Sequence, residues 1–144
     1  MIAKITAFIA ALIAALGLLQ APPPEVWEPD SKDVTALAQC LYGECRGCSE
    51  LQQQAVCWCI FNRVDSDQFP DTVYGVISQR GQFFGFSPTN PVWENLYNLA
   101  YREIKAWHDG EPGVFGKEYL YFAGNGRINI FTTQYGGGER WAEE

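Results

Sequence analysis

The chain has one histidine in 144 residues, and that scarcity removes most imidazole chemistry. A Ser-His-Asp or Cys-His site would have to use His108, which ends an apolar-periodic stretch where a solvated cation suits the helix dipole. No His and carboxylate cluster has metal-ligand spacing, and no glycine-rich phosphate loop follows a strand pattern. Neither a metal nor a cofactor is expected. Basic residues are also few: ten Lys and Arg face seventeen Asp and Glu, a formal net charge of -7. Without a basic run to neutralise phosphates, nucleic acid is not an expected partner. Bulk charge does not draw such a chain to anionic lipid or anionic polymer either, so binding requires a specific cleft.

Long apolar runs are absent with one exception. Ile5 to Leu19 carries no charge and no proline, follows Lys4, and breaks at Ala21-Pro22-Pro23-Pro24. A run shorter than the roughly 20 residues of a spanning helix, after a basic start, reads as a secretory signal. Because no clear small-x-small site stands near Leu19-Gln20-Ala21, an uncleaved N-terminal anchor is the alternative. Residues 1–21 are thus read as signal or anchor, 22–32 as a proline-rich linker, 33–135 as one domain and 136–144 as a flexible tail. With 47% hydrophobic and 15% aromatic residues, that domain can build a core without staples.

Cys40, Cys45, Cys48, Cys57 and Cys59 fall within twenty residues. Their odd number leaves at least one thiol unpaired within the chain. Cys45-Arg46-Gly47-Cys48 has redox spacing without a βαβ context, and Cys57-Trp58-Cys59 is too short for a zinc knuckle. On a helix Cys57 and Cys59 point about 200° apart. Buried thiols, one disulfide and a metal site all stay open.

Ser31 or Asp33 can cap a helix carrying Val34, Leu37, Ala38 and Leu41 and ending between Gly43 and Gly47. Ser49 and Gln52 make a capping box for a second helix, with Leu51, Ala55, Trp58 or Cys59, and Asn62 on its face and its end at Val64. Asp71 caps a short third helix over 72–79. The segment 80–87 is too irregular for a helix and too aromatic for an idle loop. Pro91 opens the longest helix, which Gly110 to Gly113 stop. Tyr119 to Phe122 and Ile128 to Phe131 flank Gly124-Asn125-Gly126 as a hairpin. The fold class is mainly α with one small β-hairpin.

Carboxylate chemistry remains. Glu44 lies where an apolar helix runs out, between Gly43 and Gly47, which permit close approach of backbone or substrate. A general acid needs apolar surroundings and no close cation. Phe83, Phe84 and Phe86 can supply that surface, while Arg46 points away if the helix persists. A helix-end carboxylate bonded to Arg46 or backbone is the competing reading.

Tyr42-Gly43-Glu44-Cys45-Arg46-Gly47, Gln53-Gln54-Ala55-Val56, Ile60-Phe61-Asn62-Arg63-Val64 and Phe69-Pro70-Asp71-Thr72-Val73 occur in that order. Together they resemble the signature of the SleB-like cell-wall hydrolases, the spore-cortex-lytic type. Gln82-Phe83 and the stretch from Tyr121-Phe122 to Asn129-Ile130-Phe131 resemble the remaining blocks, so the likeness runs over residues 33–135. It implies a lysozyme-like fold, cleavage of peptidoglycan glycan strands, and a catalytic role for Glu44. Two positions depart from the pattern: its turn alanine is Cys45 here, and a frequent second glutamate is Cys48.

The resemblance further implies a lytic transglycosylase scheme with a single glutamate, which removes the need to choose a partner among Glu50, Asp65, Asp67 and Asp71. Gln82, Phe83, Tyr121 and Asn129 are the expected substrate-binding residues, since rings stack on pyranoses and amides bond hydroxyl and N-acetyl groups. Asn125 reads as a turn residue, and Asn62 and Arg63 as locks on the helix end. The protein is expected outside the cytoplasm, in wall, spore or extracellular space, with membrane contact only through a retained N-terminal anchor. Competing classes are an exported glycan-binding domain without turnover, a cysteine-dependent wall peptidase using His108, and a small zinc-bound structural protein.

Overall fold

The structure, a computed structural model, describes residues 22–144 together with Leu12 and residues 15–17. The expected leader therefore lies almost wholly outside the described residues. No described helix is long and apolar enough to cross a membrane.

Helix α1 spans Ser31–Cys45, capped by Asp30, which accepts from the Lys32 N–H at 2.8 Å. Asp33, expected as a cap, instead accepts the Tyr74 N–H at 2.8 Å and ties α1 to the third helix. Helix α2 spans Glu50–Val64, and Ser49 accepts from the Gln52 N–H at 3.1 Å as the spacing predicts. The box does not close, because Gln52 turns inward and accepts the Asn129 N–H at 2.8 Å. Leu51, expected on the buried face, is exposed, whereas residues 55–63 are buried all round. A helix surrounded by packing needs no single apolar stripe.

Helix α3, Val73–Ser78, is capped by Thr72 and not by Asp71: the Thr72 hydroxyl accepts from the Gly75 N–H at 3.0 Å. Helix α4 spans Glu94–His108, beginning three residues after Pro91. It matches α1 and α2 in having 15 residues. The later start has a visible cause. Asn90 uses its side chain to pin the preceding loop, donating to the carbonyls of Gln39 at 3.0 Å and Gly85 at 2.8 Å. Gly110, with φ 75°, ends α4 in the left-handed region.

The expected hairpin is present as β1, Tyr121–Gly124, paired antiparallel with β2, Asn129–Gln134. The expected loose tail is corrected, because Gly137–Trp141 forms a third strand, β3, on the other edge of β2. Gly136 and Gly138, at φ 71° and 78°, build a tight turn out of the glycine run. Trp141 then gains apolar contact, its ring 5.6 Å from Phe131 and 5.5 Å from Phe115. Leu37, Leu41, Ile60, Phe61, Ile77 and Leu96 fill the core between the helices, and Phe131 carries it under the sheet. The chain is mainly helical with a small antiparallel sheet.

Candidate active site

Glu44 sits in the last turn of α1, half-buried, and its Oε1 accepts the Gly85 N–H at 2.7 Å. That bond depends on two bare backbones touching. A Cβ on Gly85 would lie 2.5 Å from the Gly43 carbonyl carbon, closer than real Cβ contacts come. Arg46 does not neutralise Glu44 by pairing, since it folds back on its own turn. It donates to the Tyr42 carbonyl at 2.9 Å with its guanidinium 4.7 Å from the Tyr42 ring centre.

Glu44 opens into a cleft of about 1020 Å³ between α1, the 80–87 loop and the sheet. Among the described residues that line it, Glu44 is the sole carboxylate. The other acids considered from the sequence do not line this cleft. Glu50 pairs with Arg102 at 2.7 Å, and Asp65 accepts from Lys117 at 3.2 Å and from the Trp107 indole at 3.3 Å.

Of the expected substrate-binding residues, Gln82, Tyr121 and Asn129 line the cleft. Phe83 does not. It is 7% exposed and packs on Phe122 with ring centres 5.9 Å apart. The next residue, Phe84, is 91% exposed at the cleft. Gln82 commits its amide oxygen to Arg63, which donates to it at 3.1 Å. Asn129 is 2% exposed, and its amide donates to the Cys48 sulfur at 3.8 Å.

Arg63 is 4% exposed. Its Nε donates to the Leu120 carbonyl at 2.6 Å. Its guanidinium lies 4.9 Å from the ring centre of Phe69, 5.2 Å from Phe83 and 5.6 Å from Tyr121. Asn62 locks the same helix end, donating to the carbonyls of Gly116 at 2.9 Å and Tyr119 at 3.0 Å. The sequence reading foresees both locks but misses that Arg63 also lines the cleft. It misses Tyr135 too, 91% exposed beside Gly136. An aromatic next to a glycine turn, with no apolar periodicity to bury it, is the signal that could have flagged Tyr135.

His108 lines a different, smaller cleft of about 590 Å³ with Trp58, Trp107 and Asp65. Its ring stacks on Trp27 at 3.6 Å, and its Nδ1 lies 3.2 Å from Asp109. All five thiols are free, and Cys40, Cys45, Cys57 and Cys59 are buried. Burial pushes these four up, Cys59 to about 12, so they are neutral near pH 7 and poor nucleophiles. Among the described residues no group of three or more His, Cys, Asp or Glu is arranged to hold a metal ion.

Several known proteins are similar to this chain. A stretch of 45 residues is 49% identical to the spore cortex-lytic enzyme of Halalkalibacterium halodurans, covering 31% of this chain and 14% of that one. A stretch of 51 residues is 47% identical to the Bacillus cereus spore cortex-lytic enzyme, covering 35% and 20%. These matches thus span a fifth or less of each relative's length. Two solved structures share the lysozyme-like fold. The catalytic domain of the germination-specific lytic transglycosylase SleB from Bacillus anthracis superposes with a TM-score of 0.54 at 32% identity, covering 71% of this chain and 79% of that one. The catalytic domain of Bacillus cereus SleB gives 0.54 at 31% identity, covering 69% and 74%. Residues 47–136, more than half of the sequence and beginning just after Glu44, match the Cell Wall Hydrolase family, and the chain belongs to that family.

Proposed function

We propose that this protein cleaves the glycan strands of peptidoglycan as a lytic transglycosylase, with Glu44 serving in turn as acid and base. The observation that carries the reading is the isolation of Glu44: it is the one carboxylate among the described residues of the cleft. A hydrolase of the common two-carboxylate kind needs a second acid about 5 to 9.5 Å away across the scissile bond. An intramolecular attack needs none. Glu44, protonated, gives its proton to the glycosidic oxygen as the bond to the muramic acid C1 breaks. The resulting carboxylate then takes the proton of that sugar's own 6-hydroxyl, whose oxygen attacks C1. The product is a 1,6-anhydro end, and Glu44 returns protonated.

The surroundings suit these steps. The Gly85 N–H fixes one oxygen of Glu44 and with it the direction of the carboxyl plane. A tethered nucleophile gains the large effective concentration of an intramolecular reaction. Gln82 offers its amide N–H groups, and Tyr121, Phe84 and Tyr135 offer ring faces to pyranoses. Likeness to a lytic transglycosylase catalytic domain over 71% of the chain supports the same reaction class. The substrate lies outside the cytoplasm, so the reading carries export with it, and the apolar N-terminal run is the proposed leader.

The test is mass spectrometry of the products released from purified peptidoglycan by the wild-type protein and by Glu44→Gln. Anhydro-muramic ends that vanish in the variant are expected. Water-added reducing ends would retain Glu44 and refute the single-acid scheme. No products from either protein, with binding intact, would make this a glycan-binding module.

A further inference from the structure

We infer that Cys45 and Cys48 are a redox-active dithiol that closes reversibly into a disulfide beside the Glu44 turn. The turn Cys45-Arg46-Gly47-Cys48 is already closed in its backbone, the Cys48 N–H donating to the Cys45 carbonyl at 2.9 Å. A turn closed this way brings its end Cα atoms within about 7 Å, the separation a disulfide bridges. A second clamp fixes the same ends. The Gln53 amide, 8% exposed, donates to the Cys45 carbonyl at 3.2 Å and the Cys48 carbonyl at 3.5 Å.

Access selects the order of events. Cys48 is half-buried at the surface, while Cys45 is 1% exposed and Cys40, Cys57 and Cys59 are fully buried. An external oxidant meets Cys48 first, and Cys45 is the thiol three residues away on the same clamped turn. Cys57 and Cys59 lie on α2 and point about 200° apart, so they do not compete as a pair with each other.

The co-reactant is a disulfide, such as oxidised glutathione. The Cys48 thiolate attacks one of its sulfurs, forms a mixed disulfide and releases the first thiol. Cys45, which burial keeps neutral near pH 7, attacks the Cys48 sulfur only in its small thiolate fraction and expels the second thiol, so this closure is the slow step. Two thiols of the protein are oxidised by two electrons, one external disulfide is reduced to two thiols, and two protons pass from protein to products. Burial pushes the Cys48 thiol up, although the Asn129 amide pulls it down, so exchange is slow near neutrality and speeds as pH rises.

Closure also reaches the cleft. The reduced Cys48 thiol donates to the Gly126 carbonyl at 3.4 Å, and Gly126 lines the cleft at the hairpin tip. The disulfide has no S–H and releases that tip. Resting on the proposed function, the expected effect is a several-fold rise in KM for peptidoglycan with kcat little changed.

The experiment treats the wild type, Cys48→Ser and Cys45→Ala with oxidised glutathione, followed by intact-mass measurement and tryptic mapping. Trypsin cuts after Lys32, Arg46 and Arg63, so a Cys45–Cys48 bond joins peptides 33–46 and 47–63, and fragmentation of the joined pair separates it from a bond to Cys40, Cys57 or Cys59. The wild type should lose two hydrogens, regain them with dithiothreitol and yield the joined peptides. Cys45→Ala should instead trap glutathione on Cys48, and Cys48→Ser should stay unmodified. An unchanged wild type, a stable glutathione adduct on it, or a bond mapping to Cys40, Cys57 or Cys59 overturns the inference. These mass readouts are independent of turnover, so a failure of the Glu44 reading leaves them intact.

Discussion

Glu44 and Glu103 are both helix glutamates held by hydrogen bonds, yet their surroundings differ in kind. Glu103, 6% exposed on α4, is saturated. It accepts from the Trp58 indole at 3.0 Å, the Gln54 amide at 3.0 Å and the Arg102 guanidinium at 3.3 Å. Glu44 receives one backbone N–H, from Gly85, and otherwise faces the cleft. A carboxylate whose lone pairs are all taken is a strut, because protonating or moving it breaks several bonds at once. A carboxylate fixed by one bond, with the other oxygen open to a ligand, keeps its proton chemistry.

The contrast makes opposite demands on the two positions. Glu44→Gln should lower turnover on peptidoglycan by about 10²- to 10⁴-fold, the range one acid–base group contributes. Its thermal stability should change by no more than about 0.5 kcal/mol, since a half-exposed amide replaces a half-exposed carboxylate. Glu103→Ala should do the reverse. It orphans the Trp58 and Gln54 donors and costs about 2–4 kcal/mol in urea unfolding, with turnover per folded molecule retained. Activity lost without stability in Glu103→Ala would break the comparison.

A finer test acts on the bond that holds Glu44. In Gly85→Ala the new Cβ lies 2.5 Å from the Gly43 carbonyl carbon and 2.9 Å from the Glu44 nitrogen, and all the near atoms are backbone. Backbone cannot swing aside as a side chain does, so the 80–87 loop must shift and carry the Gly85 N–H off the carboxylate. Displacing a catalytic group by about 1 Å can cost up to about 10²-fold. We expect a fall in kcat of about ten- to a hundredfold with KM changed much less. An unaltered kcat would show that the Gly85 bond does not orient Glu44.

The helices are legible in the sequence because their signals are local. Ser49 caps Gln52 and α2 ends at Val64, both readable from spacing within one segment. Gly43 as a point of close approach is readable too, and its partner is now seen to be Gly85. What escapes is whatever depends on a distant residue. Gln52 leaves its capping box for Asn129, 77 residues on, and Asp33 leaves its cap for Tyr74. Residues 137–141 read as tail because glycine and charge carry no strand pattern. They form β3 because β2 offers an unpaired edge and Trp141 finds Phe131 and Phe115. Phe83 and Phe84 are neighbours of the same residue type in an irregular loop, so no periodicity tells which is buried. Tertiary contact with Phe122 decides it.

Phe84, together with Tyr135, yields the smallest expected effect. Phe84 and Tyr135 are each 91% exposed, so truncating either removes almost no packing from the free protein. Phe84→Ala and Tyr135→Ala should therefore leave stability within about 0.5 kcal/mol of the wild type. A ring that stacks on a sugar contributes about 1 kcal/mol, which is roughly a fivefold change in affinity. The expected result is a rise in KM of about that size for each variant, with kcat steady. The two rings are single surface features on different segments, so the double variant should show the product of the two factors if both bind glycan at once. A double variant no worse than one single would mean that the strand engages only one of them. Unchanged KM in all three would remove both from the binding surface and leave recognition to Gln82 and Tyr121.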